Sequence, residues 1–318
     1  MKIAILGATS QIAKDLICYF VKSGRKDLLL YVRNYEDMLA WLKENELEFA
    51  CSIHRYKAYG KLAHDVVINF VGVGDPKRAA EMGAGIFEVT SQFDDMVLAE
   101  LDQNRDRRYI FISSGAVYGN VFSKPVTSET EAVIGINDIH PADYYGAAKL
   151  NAEIKHRARS NLAIFDLRVF NIFSRTQDIE ARFFITDIVR AIRDNQTLIT
   201  SSDYMVRDFM HPKDFHQIIE CLLLASPSNC AVDCYSRSPI DKYSLLQAMA
   251  ERFGLRYEII PGATAAINST GEKACYYSLN RKAVEFGYRP KRTSLECILV
   301  ETTAIVSGPT FKHAVGSV

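Results

Sequence analysis

The chain has 318 residues, of which 48% are hydrophobic, and its 38 Lys+Arg balance its 38 Asp+Glu. That length supports a large core and two lobes, and zero formal charge gives no bulk attraction for nucleic acid or other polyanions. The N-terminal stretch lacks a signal-peptide pattern, and the apolar run at 66–73 is too short to span a bilayer, so a membrane role is not expected.

Taken in chain order, residues 2–7 read as a short buried strand. Ile12, Ala13, Leu16, Ile17 and Phe20 then recur on one side of a helix. Leu28–Val32 reads as a second strand, 35–45 as a mixed helix, and Val66–Val71 and Tyr109–Ser113 as further strands. Pro125 and Pro141 bracket a loop-rich insertion, followed by a helix over 143–160 and a strand over Leu162–Val169. Further helices are expected at 179–194, at Phe215–Ala225 and at Leu245–Phe253, the last stopped by Gly254. Strands alternating with helices point to an α/β fold: a Rossmann-like, mostly parallel sheet covered on both faces. A smaller C-terminal substrate-binding lobe follows. The expected division is 1–172 with 208–235 returning to the first lobe, and 173–207 with 236–318 forming the second.

The turn Gly7-Ala-Thr-Ser10-Gln-Ile-Ala13 joins the first strand to the first helix. Gly7 permits a tight turn, and the amides after it lie at a helix N-terminus, where a diphosphate binds. Ser10 stands where close backbone approach favours glycine, so its hydroxyl is a candidate phosphate contact. The second strand ends Tyr31-Val32-Arg33-Asn34, without the carboxylate that would accept an adenosine ribose's hydroxyls. Arg33 suits a ribose phosphate through its planar donor fork, which favours NADP, with NAD as the alternative.

Two segments carry the reaction chemistry: Ser113-Ser114-Gly115 after an apolar run, and Tyr145-Gly-Ala-Ala-Lys149. Tyr145 and Lys149, four apart, share a helix face. A ketone that accepts hydride on carbon needs a proton donor at oxygen. Tyr145 is the candidate acid, Lys149 the cation expected to favour its phenolate and to bond the nicotinamide ribose, and Ser114 the hydrogen-bond partner of the reacting oxygen. The seven cysteines include no C-x-x-C pair, and no His/Cys cluster joins Cys230 and Cys234. No metal is expected, and free thiols fit a cytoplasmic protein.

With these motifs in place, the chain resembles the extended short-chain dehydrogenases/reductases of the NAD-dependent epimerase/dehydratase branch. The likeness runs through Gly7–Ala13, Ile112-Ser-Ser-Gly-Ala-Val-Tyr-Gly119, Tyr145–Lys149, Leu167-Arg-Val-Phe-Asn171, Val206-Arg-Asp-Phe-Met-His211 and Leu279–Pro290. The resemblance implies Ser114, Tyr145 and Lys149 as a catalytic triad, Asn171 near substrate or cofactor, and Arg207 on a nucleotide-sugar diphosphate. It also implies a dinucleotide-binding first lobe and a homodimer built through paired helices of that lobe. The candidate cofactor residues are Gly7, Thr9, Ser10, Gln11, Ile12, Arg33, Asn34, Val71, Tyr145, Lys149 and Phe170. The candidate substrate residues are Ser114, Asn171 and Arg207; a bland reading pairs Arg207 with Asp208 or Asp214.

The departures from the family pattern narrow the reaction. Ser10 and Ala13 replace usual glycines, Ile68–Gly74 replaces an alanine-rich strand end, Glu88-Val-Thr-Ser-Gln-Phe replaces an Asn-x-x-Gly-Thr helix, and Phe173-Ser174 replaces Tyr-Gly. A dehydratase of this family presents an acid and a base beside the serine, and this chain has Gly115-Ala116 there. The reading is therefore NADPH-dependent reduction of a nucleotide-linked keto-sugar or other small carbonyl. The alternatives are an NAD-dependent nucleotide-sugar epimerase and a non-catalytic NADP-binding scaffold.

Overall fold

A computed structural model describes residues 1–73, 79, 81–262 and 273–308. Gly74 and parts of the expected second lobe, 263–272 and 309–318, lie outside the described residues.

The first half alternates strand and helix: β1 (Ile3–Leu6), α1 (Gln11–Lys22), β2 (Leu28–Val32), α2 (Tyr35–Glu44), β3 (Cys51–Arg55), β4 (Val66–Asn69), α3 (Gly85–Gln103), β5 (Arg108–Ser114), α4 (Pro141–Arg157) and β6 (Ala163–Val169). The second half holds β7 (Asn171–Ile172), α5 (Phe184–Arg193), β8 (Thr197–Thr200), β9 (Val206–Arg207), β10 (Phe209–Met210), α6 (Pro212–Leu224), β11 (Asn229–Asp233), β12 (Ile240–Asp241), α7 (Lys242–Phe253), β13 (Arg256–Ile259), β14 (Cys275–Tyr276) and α8 (Ser294–Ser307).

Seven strands form one parallel sheet in the order β11-β6-β5-β4-β1-β2-β3. The order reverses between β1 and β4, and that crevice is where parallel α/β sheets hold ligands. Every residue of β1, β2 and β4 is buried, as a strand covered on both faces requires. On one face, Ala13, Leu16, Ile17 and Phe20 of α1 join Met38, Phe215 and Ile218 over the sheet. On the other, Val97, Leu98 and Leu101 of α3 and Ala152 of α4 cover Tyr109 and Phe111.

Residues 229–233 form the sheet's edge beside β6, and α6 packs against α1, where Arg25 and Glu220 form a two-pronged ion pair at 2.5–2.7 Å. A separate apolar cluster gathers Phe173, Ile185, Ile188 and Val189 with Leu245, Leu246 and Met249 of α7 and Cys297 and Ile298 of α8. Three small sheets surround it: β10-β7, β12-β9-β14 and β13-β8. The α7 helix ends where expected, because Gly254 adopts φ +72°, a left-handed cap that costs glycine little. The helix expected over 179–194 begins at Phe184; Thr186 bonds back to the Phe183 N–H at 3.1 Å and closes the first turn there.

Glu301 of α8 accepts the Arg175 N–H at 2.8 Å and Arg175's Nε and Nη2 at 2.9 and 2.8 Å, and lies 3.0 Å from His211 Nε2. Thr176, the next residue, donates to Asp15 of α1 at 2.7 Å. The first and last helices are thereby braced through one short segment. Among the described residues no helix is long and apolar enough to cross a membrane.

Candidate active site

The turn after β1 shows why Gly7 has no side chain. Its φ is +71°, and an added Cβ would stand 2.9 Å from the backbone carbon of Phe70 and the nitrogen of Val71. The turn thus lies directly against the end of β4, where the Val71 N–H donates to Asn69 Oδ1 at 2.9 Å. Ser10 is the N-cap of α1, its Oγ accepting the Ala13 N–H at 3.3 Å. That bond occupies an oxygen lone pair and leaves the hydroxyl hydrogen to point outward. Ser10 N–H closes the turn on Gly7 O at 3.0 Å, whereas the amides of Thr9, Gln11 and Ile12 take no bond within it. Free amides at a helix N-terminus with the dipole behind them suit an anion, so the turn fits a dinucleotide diphosphate. The Gln11 side chain is engaged, donating to Asp15 at 2.5 Å and Thr176 at 3.1 Å.

At the neighbouring strand end Arg33 is exposed, and Asn34 caps α2 by accepting from the Glu36 and Asp37 amides at 3.2 and 3.4 Å. A second guanidinium was missed in the sequence because β3 was not read as a strand. Arg55, at the end of β3, donates to Arg33 O at 2.9 Å and pairs with Glu36 at 3.3 Å.

The reaction centre forms where β5 meets α4. Pro141 opens α4, with the Asp143 carboxylate accepting the His140 N–H at 3.0 Å. The helix then seats Gly146 so closely on the Ala116 carbonyl that a side chain would clash with it. Ser114 Oγ accepts the Ala116 N–H at 3.1 Å. Tyr276 Oη of β14 lies 3.4 Å from its Oγ, and Ser114 also acts on the Tyr145 phenol. Burial pushes the Tyr145 phenol above its ordinary value, with the Ser114 bond pulling the other way. Lys149 Nζ donates to Ile112 O at 2.8 Å and stands 4.2 Å from the Phe111 ring centre. Burial pulls Lys149 down to about 8, opposed by Asp94, Glu153 and Asp166. Lys149 is not among the groups that shift the Tyr145 phenol, for which burial dominates.

An apolar wall stands behind Ser114. Phe170, 8% exposed, packs with Phe122 and Tyr276 at ring separations of 6.3 and 5.1 Å. A Cβ on Gly115 would lie 2.5 Å from the Phe170 ring. Tyr276 also carries cations beside it, Lys273 Nζ at 4.8 Å and the Arg207 guanidinium at 6.0 Å from its ring centre. Arg207 donates to Val206 O at 2.9 Å, and burial pulls it down to about 10. Its bland pairing is absent: among the described residues no carboxylate lies within ion-pair distance of Arg207, since Asp208 takes Ser236 and Ser294 while Asp214 faces Arg292. Asn171 donates to Asp208 O at 3.2 Å, between β9 and β10. His211 holds α6 by accepting the Lys213 N–H at 2.9 Å. Tyr276 and Lys273 were not found in the sequence, because they reach the centre from a strand far along the chain and carry no local motif.

A parallel sheet with a glycine turn at its switch point, and a serine and a tyrosine joined beside a buried lysine, define a nicotinamide-dependent enzyme of the extended short-chain dehydrogenase/reductase type. The chain belongs to the NAD dependent epimerase/dehydratase family, whose model matches residues 3–232. No curated protein sequence matches it significantly. Its fold is similar to dTDP-glucose 4,6-dehydratase from Bacillus anthracis in complex with NAD (TM-score 0.78, 16% identity, 99% of each chain covered). It is similar also to UDP-glucose-4-epimerase from Stenotrophomonas maltophila with bound NAD and formylated UDP-arabinopyranose (TM-score 0.78, 15% identity, covering 96% of this chain and 99% of that one). A third is UDP-glucose 4-epimerase from Thermotoga maritima with UDP-glucose (TM-score 0.76, 16% identity, 96% and 99% covered).

Proposed function

We propose that the protein reduces the keto group of a nucleotide-linked sugar with NADPH. The observation that carries this choice is the filled space at Gly115. Dehydration needs an acid and a base beside the serine. Here Phe170 occupies the volume a side chain at 115 would need, and Ala116 has no titratable group. Oxidation or reduction of a carbinol carbon needs only the serine, the phenol and the cation.

A nicotinamide bound at the switch point supplies or takes the hydride. Tyr145 gives its phenolic proton to the substrate oxygen as charge develops there, and Ser114 donates a hydrogen bond to the same oxygen. The high intrinsic position of Tyr145 keeps it protonated and ready as an acid, the form that ketone reduction needs. Lys149 holds positive charge nearby, Thr9, Ser10, Gln11 and Ile12 receive the diphosphate, and Arg33 with Asn34 meets the adenosine end. Val71 and Phe170 would flank a bound nicotinamide, while Asn171 and Arg207 would meet the sugar nucleotide. The reading divides the chain into a dinucleotide lobe of 1–172 with 208–235, supported by β11 and α6 lying with the main sheet. Residues 173–207 and 236–318 form the substrate lobe, supported by their separate apolar cluster. It includes a cytoplasmic homodimer paired through α3 and α4, supported by Ile154, 59% exposed on α4.

A second reading, C4 epimerisation with retained NAD, is favoured by the two epimerases of similar fold. The two part on one assay. Nucleoside-diphosphate keto-sugars are incubated with NADPH, and the corresponding C4-hydroxyl sugars with NAD, and nicotinamide absorbance is followed with product analysis. Stoichiometric NADPH loss supports the reductase. Product change without net NADPH loss selects the epimerase, and bound cofactor with neither selects the scaffold.

A further inference from the structure

The face of α4 that bears Tyr145 and Lys149 continues inward to Glu153, and strand β5 meets each of the three in turn. Ser114 acts on Tyr145, Ile112 O accepts from Lys149 Nζ at 2.8 Å, and Ser113 Oγ donates to Glu153 Oε1 at 2.6 Å. Three consecutive strand residues thus hold three helix residues spaced by four. Glu153 is 3% exposed and is gripped by the Arg168 fork, with Nε at 3.0 Å from Oε1 and Nη2 at 2.5 Å from Oε2. Arg168 Nη1 donates to Tyr118 Oη at 2.8 Å, and Tyr118 donates to Asp233 at 3.0 Å. Ser278, two residues beyond Tyr276, donates to the same Asp233 oxygen at 2.6 Å. One buried polar chain therefore runs from the strand carrying Tyr276 to the residue preceding Ser114.

We propose that Ser113 and Glu153 are positioning residues of the reaction centre: their hydrogen bond sets where α4 sits along β5, and the Glu153 carboxylate sustains the ammonium of Lys149. The inference rests on the roles proposed above for Tyr145 and Lys149. The first part follows from geometry. The Ser113–Glu153 bond ties α4 to β5 one turn beyond Lys149, while Arg168 and Asp166 of β6 and Asp94 of α3 hold the same end of the helix to its other neighbours. The second follows from charge. Lys149 faces Asp94 from α3, Asp166 from β6 and Glu153 from its own helix, with Tyr145 one turn before it. His156 lies between Asp94 and Asp166 at 2.7 and 2.5 Å, and Lys155 and Arg157 take their other oxygens. Removing the Glu153 charge leaves Arg168 with Asp233, 3.7 Å from its Nη1, as its carboxylate partner, so both changes disfavour the ammonium.

The charge is read directly in the free protein, with neither cofactor nor substrate, by NMR titration of lysine labelled with carbon-13 at Cε; the Lys149 signal is assigned by its loss in Lys149→Met. In Glu153→Gln the Lys149 midpoint moves to lower pH, and in Glu153→Asp it returns toward the wild-type position. Ser113→Ala retains the charge and keeps the midpoint. With NADPH and a UDP-linked 4-keto-hexose, its kcat falls about 10- to 100-fold at unchanged KM, the size expected when a catalytic group is displaced by a fraction of an ångström to one ångström. A Lys149 midpoint unmoved by Glu153→Gln overturns the charge role, and wild-type kcat in Ser113→Ala overturns the positional one. Should Glu153→Gln fail to fold, Ser113→Ala and Glu153→Asp still decide, because a lower Lys149 midpoint in Glu153→Asp equally refutes the charge role. Full turnover in Tyr145→Phe would instead defeat the proposed function, while leaving the lysine titration to judge Glu153 by itself.

Discussion

Placing aspartate at position 115 sets the steric argument against dehydration at risk. The new Cβ begins 2.5 Å from Phe170 Cδ1 and Cε1 and 2.9 Å from Cζ. Carbon atoms rest at about 3.5–4.0 Å, so the ring must retreat by roughly 1 Å or more. It has little room, since Phe122 stands edge-on and Tyr276 tilted against it. Overpacking of this kind costs about 1–3 kcal/mol, and a polar group buried without a partner adds about 1–3 kcal/mol. The sum, roughly 2–6 kcal/mol, is a large part of the 5–15 kcal/mol that holds a typical domain. Denaturant unfolding followed by circular dichroism measures it, and Gly115→Ala isolates the steric share. Gly115→Asp is expected to unfold at markedly lower denaturant and to release no water from a nucleotide-sugar. A variant within about 0.5 kcal/mol of wild type, or one that acquires dehydration, would show that the position has room and refute the reasoning.

Tyr145→Phe should lower kcat about 10²- to 10⁴-fold, the usual share of a general acid, with NADPH affinity by fluorescence nearly retained; normal turnover would remove Tyr145 from the chemistry. Arg33→Ala and Arg55→Ala should each weaken NADPH about tenfold or more while sparing NADH, as loss of a charge-assisted bond to a ribose phosphate requires. A wild-type preference for NADH would decide against NADP. His156, between Asp94 and Asp166, is raised to about 9 from 6.5. The folded state then binds the proton more tightly than the unfolded one, so the stability it contributes is complete below about 6.5 and is lost as pH rises through about 9. His156→Gln should accordingly be most destabilised relative to wild type near pH 6 and least near pH 10, in parallel denaturant titrations; a gap independent of pH would show that the imidazolium contributes nothing.

The parts of this protein that were legible in its sequence are those where local pattern and tertiary role coincide. The unbroken apolar runs of β1, β2 and β4 report burial on both faces, and the four-residue interval between Tyr145 and Lys149 reports a shared helix face. The two outer strands escaped notice for the converse reason. In β3, Cys-Ser-Ile-His-Arg is only half-buried, and in β11, Asn-Cys-Ala-Val-Asp begins with polar and small residues at a sheet edge. Missing β3 hid Arg55. Glu153 stands at the next four-residue step after Lys149, a signal that repetition of the same interval would have exposed. Tyr276 and Lys273 had no such signal, since their nearness to Ser114 exists only once β14 pairs with β9. The contact of Gly115 with Phe170 is likewise a property of packing, although the missing acid–base pair was visible as plain residue identity.

Glu301 clasps Arg175, and Thr176 beside it clasps Asp15. During synthesis the first helix emerges almost at once, yet Glu301 arrives only after nearly three hundred further residues have been added. An early fragment can build the central sheet and still lack this support. Completion of the last helix, rather than of the central sheet, therefore marks the moment at which the first helix gains this brace.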